Sequence, residues 1–279
     1  MSWSPYFTVA PVTRLARGMG ATRATLPGHE VVRVDLAGAF GVVGTTAGGR
    51  RVVALGVRAE GSDLVSAPER LLFPVPAEIT DDQALVLAGS GVTAWHLLRT
   101  CAHLGPDEAV VVHDAASEVG SLAVQLARGF RAGQVIAVAD TAARRKYATA
   151  VGADVAVDAD PDGLRERLLA VNGGHPVDVV LSPVGSALFP QSLAVLAPFG
   201  RIVVHGESPI VEAVGPIEGS RAVIGFWLGD CLARPEMVAR ALSELMGLTS
   251  AGRLRPPVGD EYPLSGGARS NRARSGRPA

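Results

Sequence analysis

From residue 109 onward, short apolar runs alternate with amphipathic ones in a strict strand–helix rhythm. AVVVHD (109–114), QVIAVAD (134–140), ADVAVD (153–158), VDVVLSPVG (177–185), RIVVHGES (201–208) and RAVIGFWLGD (221–230) read as strands. EVGSLAVQLARGF (118–130), AARRKYATAVG (142–152), DGLRERLLAVNGG (162–174), LFPQSLAVLAPFG (188–200) and PEMVARALSELMGLTSAG (235–252) read as helices. Strands apolar on both faces are covered on both faces, as a parallel sheet requires. The pattern predicts a doubly wound parallel sheet of about six strands. Its strands are expected around 110–113, 135–139, 154–157, 178–182, 201–205 and 222–226.

Residues 1–85 have a different texture. EVVRV (30–34), FGVVG (40–44), RRVVALGV (50–57) and EGSDLVSAP (60–68) read as short strands and turns of a small β-rich unit. The run 80–104 then opens a helix at Thr80, with acids in its first turn. Gly89 and Gly91 are expected to interrupt it. A second helix follows through Ala94, Leu97, Leu98 and Cys101, and Gly105–Pro106 stops it. The reading divides the chain into a β-rich domain (1–85), a Rossmann-like domain (86–252) and a return segment with an Arg-rich, solvated tail (253–279).

Composition adds constraints. With 48 % hydrophobic and 19 % charged residues among 279, the chain has a folded profile. A net charge of -1 gives no global pull toward nucleic acid or membrane, and neither is expected as a partner. The opening residues lack the apolar core of a secretory signal, and no run reaches membrane-spanning length, so a cytoplasmic protein is expected. Cys101 and Cys231 are too few for a four-cysteine zinc site, and no cysteine lies upstream to share a metal with His29 in Gly28–His29–Glu30. No metal is expected. No G-x-S-x-G elbow supports a hydrolase.

The candidate chemistry lies after the first strand of the alternation. A dinucleotide turn needs a small residue for the tight bend, one for approach to the pyrophosphate, and one for helix–strand packing. Ala115, Ser117 and Gly120 hold these positions. Ser117 carries a Cβ where the pyrophosphate comes close, and its hydroxyl offers a compensating hydrogen bond. Glu118 suits the helix dipole but competes there with a phosphate. Ala116, Ser117, Glu118, Val119 and Gly120 are the candidate pyrophosphate contacts. Asp140, twenty residues beyond Gly120, could take a ribose diol, or cap the next helix. Arg144 and Arg145 could hold a 2′-phosphate, or be solvated. Gly185 and Gly206, after later strands, are expected near the nicotinamide half. His113 and His205 also end strands and could face the same crevice.

GSGVTAWHLL, GPDEAVVVHDAASEVGSLAVQLARG, RRKYATAVGADVAVD, VDVVLSPVG and SLAVLAPFGRIVVHGES together resemble the medium-chain dehydrogenase/reductase superfamily, in its zinc-free quinone oxidoreductase and enoyl reductase branch. The match covers most of residues 50–262. It implies a GroES-like catalytic domain beside a Rossmann domain, hydride transfer to activated double bonds or quinones, usually from NADPH, and a homodimer. The departures are specific. The β-rich part is much shorter than in the family and two alignments compete for it. Residues 30–75 contain no Asn or Tyr to take the family's polar catalytic role, so no catalytic residue is assigned. The family's final apolar strand is absent from SGGARSNRARSGRPA, and two glycines of the family's turn are Ser117 and Glu118.

The expectation is therefore an NAD(P)H-dependent reductase acting on a small or aromatic enone or quinone. NADPH is the first candidate cofactor, NADH the second, and a site without a cofactor the third. The altered turn keeps two alternatives open: a non-redox lyase, isomerase or cyclase, or a non-catalytic partner protein on the same scaffold. A homodimer is expected through the apolar stretch 221–232, as the last strand of the sheet.

Overall fold

The computed structural model describes residues 26–59, 61–183, 185–206 and 219–258. The opening segment, the Arg-rich tail and the last two residues of the expected strand 201–208 lie outside the described residues. The chain forms two compact units. One holds the described residues up to 92 together with 228–253, the other 93–227 with 254–258.

The first unit is built on a five-stranded antiparallel sheet. Its strands are β1 (His29–Ala37), β2 (Gly41–Thr46), β3 (Arg51–Leu55), β4 (Leu64–Pro68) and β5 (Leu72–Pro74), in the order β4-β1-β2-β3-β5. The sheet curls into a half-barrel resembling a shortened GroES-like domain. Alternating valines and alanines make its core, with Val32, Val42, Val52, Ala54, Val65 and Ala67 clustered on one face. Burial alternates with period two in β4, whereas the consecutive buried residues of β2 and β3 are covered on both faces.

The helix expected at Thr80 starts there. Thr80 Oγ1 accepts from Gln83 N (3.2 Å) and Gln83 Oε1 accepts from Thr80 N (3.0 Å), a reciprocal cap on α1 (Asp81–Val86). Gly89 does not interrupt the helix. Residues Leu87–Gly91 continue it as a π-helical turn, and α2 (Val92–His96) follows. The glycine is needed for approach: a Cβ there would lie 2.6 Å from a Phe40 ring carbon. A second π turn, Leu97–Cys101, ends the run.

The second unit carries six parallel strands. They are β6 (Ala109–His113), β7 (Gln134–Ala139), β8 (Val155–Asp158), β9 (Val177–Pro183), β10 (Leu196–His205) and β11 (Ala222–Phe226), in the order β11-β10-β9-β6-β7-β8. The order reverses between β6 and β9, the switch point at which open α/β sheets bind ligands beyond their C-terminal ends. The connecting helices are α3 (Glu118–Gly129), α4 (Ala142–Ala150), α5 (Leu164–Val171) and α6 (Phe189–Val195). Val111, Ile136, Val180 and Ile202 lie side by side across four strands and are fully buried.

Two boundaries differ from the sequence expectation. Helix α6 stops at Val195 instead of running to 200. The next five residues enter β10 through a register shift, with Phe199 at φ 64° and 82 % exposed. The stretch 221–230 is strand only to Phe226. Leu228–Leu232 is a short helix, α7, leading into α8 (Pro235–Ser250) in the first unit. No helix among the described residues is long and apolar enough to cross a membrane.

Candidate functional site

The site is built where β6 turns into α3. Val110, Val111 and Val112 bury β6 in the middle of the sheet, and the chain leaves it through Asp114 at φ 47°. Left-handed backbone is tolerated by aspartate better than by most side chains. Ala115 and Ala116 are fully buried, and the Ala115 amide bonds Val138 O on β7 (3.1 Å). The turn closes when Ser117 N donates to Asp114 O (2.8 Å).

Gly120 is required by this path. A Cβ on it would lie 2.2 Å from Asp114 O and 2.8 Å from Ala115 Cα. The first turn of α3 therefore rests directly on the backbone leaving β6, which is the packing role of the last glycine in a dinucleotide turn. Ser117 takes another role. It is the N-cap of α3, and its Oγ accepts from Gly120 N (3.0 Å). One amide that an anion could use at this helix start is thus already bonded to the chain. Glu118 adds a carboxylate in the first helical turn, with Val119 beside it, both half-buried.

The exit of β7 holds the second group. Thr141, not Asp140, caps α4: Thr141 Oγ1 accepts from Arg144 N (3.3 Å). Asp140 instead turns its carboxylate to Thr141 N (2.7 Å) and Arg144 Nη1 (3.0 Å). Arg144 is not solvated. Its side chain is 11 % exposed and spans from Asp140 to Asp114, whose Oδ1 accepts from Nη2 at 2.5 Å. Burial works against the charged guanidinium, but the carboxylates of Asp114 and Asp140 outweigh it and raise its pKa above the ordinary value. Burial likewise opposes the Asp140 carboxylate, and its bonds to Arg144 and Thr141 prevail, so its pKa lies below the usual range. Arg145 is also engaged, donating from Nη1 to Ala139 O (3.0 Å), Asp140 O (2.9 Å) and Asp158 Oδ2 (2.6 Å).

Later strands contribute bare backbone at the same end of the sheet. Gly185 follows β9 at φ 73° and Gly206 follows β10 at φ 139°, both exposed. His113 does not present itself to the crevice. Its Nε2 lies 2.9 Å from Ser192 Oγ on α6, and that hydroxyl donates to Leu188 O (2.8 Å). The hydroxyl proton being used, Ser192 accepts, and His113 carries its proton on Nε2. Burial, with His205 nearby, pushes the His113 pKa down to about 4, and burial does the same to His205. Both rings are neutral near pH 7. Among the described residues no cluster of three or more His, Cys, Asp or Glu side chains could hold a metal ion.

The structure thus brings Asp140, which precedes α4, together with Arg144 in its first turn, and sets the 116–120 turn on Gly120. Asp114 escaped the sequence reading. Its one signal was a polar residue between strand and turn, and its partner lies 30 residues away.

Comparison with known proteins agrees with this geometry. The family described as zinc-binding dehydrogenase matches residues 119–246. The spectinabilin polyketide synthase system protein NorB of Streptomyces orinoci is 35 % identical over 248 residues, covering 87 % of this chain and 11 % of that protein. The quinone oxidoreductase of Pseudomonas aeruginosa is 28 % identical over 274 residues, covering 94 % of this chain and 79 % of that one. Among solved structures, the Escherichia coli quinone oxidoreductase complexed with NADPH superposes with a TM-score of 0.76 at 25 % identity, over 86 % of each chain. The chain spans only 7 % to 12 % of the length of the polyketide synthases it matches.

Proposed function

We propose that this chain, which belongs to the quinone oxidoreductase and enoyl reductase-like branch of the medium-chain dehydrogenase/reductase superfamily, is an NAD(P)H-dependent oxidoreductase. The observation that carries the reading is the β6–α3 turn at the switch point of the sheet, with Gly120 seated on Asp114 O. Two features of this chain fit a dinucleotide. The packing at Gly120 brings backbone amides to the crevice. Beside it, Arg144 is held nearly buried, with its Nε lacking a hydrogen-bond partner among the described residues.

A bound reduced nicotinamide supplies a hydride. The chain's part is to hold and orient the cofactor. Residues 116–120 would face the pyrophosphate, Asp140 and Arg144 the adenosine ribose, and the bare backbone of Gly185 and Gly206 the nicotinamide half. NADPH is the cofactor named with the Escherichia coli relative, and we take it as the first candidate here. Ser117 and Glu118 make the turn a poorer anion cup than one with two glycines, because one amide is already bonded and one carboxylate is added. The names of the relatives support a quinone or an activated double bond as the small-molecule substrate. We also assign the protein to the cytoplasm and read it as a homodimer through β11, one edge strand of the parallel sheet.

Titration of the purified protein with NADPH and NADH, followed by reduced-nicotinamide fluorescence, tests the reading. Saturable binding of either, with oxidation of the bound cofactor by a 1,4-quinone or an enoyl thioester, is the expected result. Binding of neither at millimolar concentration would remove it. The non-redox reading would then gain, since the self-capped Ser117 turn favours it.

A further inference from the structure

We infer that Asp114 is a specificity-determining counter-ion for the cofactor: it occupies the edge of Arg144 that a 2′-phosphate on the adenosine ribose would use, so the phosphorylated dinucleotide binds by displacing it. This rests on the dinucleotide reading above and adds a residue to it.

Both terminal nitrogens of Arg144 are already committed to carboxylates while the network stands. Its Nη2 is bonded to Asp114 and its Nη1 to Asp140, and Nε is buried away from both. Two carboxylates already surround one guanidinium. A 2′-phosphate arriving at the same place would bring up to two more negative charges against a single positive one. One carboxylate must leave.

The geometry selects which. Asp140 is anchored twice, by Arg144 and by the Thr141 amide at the start of α4. The Asp114 carboxylate has Arg144 as its one hydrogen-bond partner among the described residues, and its side chain is 41 % exposed. Asp114 also stands at the mouth of the crevice, immediately before the 115–120 turn, so its carboxylate crosses the gap between the exits of β6 and β7. A ribose without the phosphate needs no such exchange. Its hydroxyls are donors, and the exposed Asp140 carboxylate can accept from them without losing Arg144. Asp114 therefore penalises NADPH and leaves NADH unaffected.

The test is calorimetric titration with NADPH and NADH, and with the fragments 2′,5′-ADP and 5′-AMP, which isolate the adenosine half from catalysis. Asp114→Asn removes the charge and keeps a side chain that tolerates left-handed backbone. Asp114→Gly suits the φ of 47° even better and is the second variant should the first fail to fold. Both should tighten NADPH and 2′,5′-ADP by about tenfold, the effect of losing one competing charge-assisted bond. NADH and 5′-AMP should change by less than about twofold. In an Arg144→Ala background the same substitution should have no effect on NADPH, because the shared partner is gone. An equal change for both cofactors, no change for NADPH, or a gain that persists without Arg144 overturns the inference while the dinucleotide reading stands. Binding of neither cofactor to wild type or variant overturns both.

Discussion

At the scale of the residue, Gly120 and Ser117 set the limits of the turn. Gly120→Ala would force a methyl to 2.2 Å from Asp114 O, and backbone cannot step aside as a flexible side chain can. We expect a loss of about 3 kcal/mol or more in denaturant unfolding, at the upper end for overpacking. A loss under about 1 kcal/mol would mean that α3 shifts freely on β6. Ser117→Gly should separate stability from binding. It removes the N-cap of α3, costing a few tenths of a kcal/mol to about 1 kcal/mol, and it frees the Gly120 amide. Melting temperature should fall while NADPH affinity rises. Affinity that falls together with stability would place the pyrophosphate elsewhere. The need for a small residue at position 120 was legible in the sequence, because it follows from the strand–turn–helix spacing. That Ser117 would spend its hydroxyl on the Gly120 amide was not, since the same side chain could equally have faced a ligand.

At the scale of the element, the sheet is fastened at its opposite end by ion pairs, Arg201–Glu108 and Arg128–Asp154 among them, and carries two neutral histidines at its ligand end. Arg201, early in the regular part of β10, donates from Nη1 and Nη2 to both carboxylate oxygens of Glu108 (2.6 and 2.7 Å) and from Nε to Ala102 O (2.6 Å). The Arg201 guanidinium, outweighing partial burial, holds the Glu108 carboxyl below its ordinary pKa. Arg201→Ala should cost about 2–4 kcal/mol, because it strands a half-buried carboxylate and a carbonyl together. Glu108 stabilises the fold above its unfolded pKa, and that contribution is lost as pH falls through its folded value. The histidines act in a higher window. His113 and His205 titrate at about 4 in the fold against 6.5 unfolded, so the unfolded chain binds more protons between those values. Stability should therefore fall as pH drops from 6.5 toward 4, by a few kcal/mol in all. His113→Gln should flatten the urea-midpoint profile over this range. A profile as steep as that of wild type would assign the acid loss to other groups.

At the scale of the whole molecule, β11 is one of the two edges of the parallel sheet, and its partly exposed residues are Val223, Ile224 and Phe226. An apolar edge of this kind is open to pairing with a second chain. The homodimer proposed above should give twice the chain mass in sedimentation equilibrium at micromolar concentration. Ile224→Lys should reduce that mass to the monomer while helix content is retained. A wild-type monomer would remove the proposal, and a dimer indifferent to the lysine would move the interface away from β11.

What the sequence determined by itself was local. The alternation of apolar strands and amphipathic helices over 109–205 and the cap at Thr80 are properties of a few neighbouring residues. Backbone periodicity and helix-end chemistry act over that range, and they suffice to call for a doubly wound sheet. Tertiary structure decided which distant side chains meet. Parallel strands need long crossovers, so the residues that converge at one end of the sheet are separated by dozens of positions. Asp114 reaches Arg144 across 30 residues, His113 reaches Ser192 across 79, and Arg201 reaches Glu108 across 93. Gly89 belongs to the same class, as its reason is the ring of Phe40 and not the helix it sits in. No local pattern encodes such pairings, because each partner satisfies its own segment equally well without the other. They exist only once strand order and register have brought the segments together.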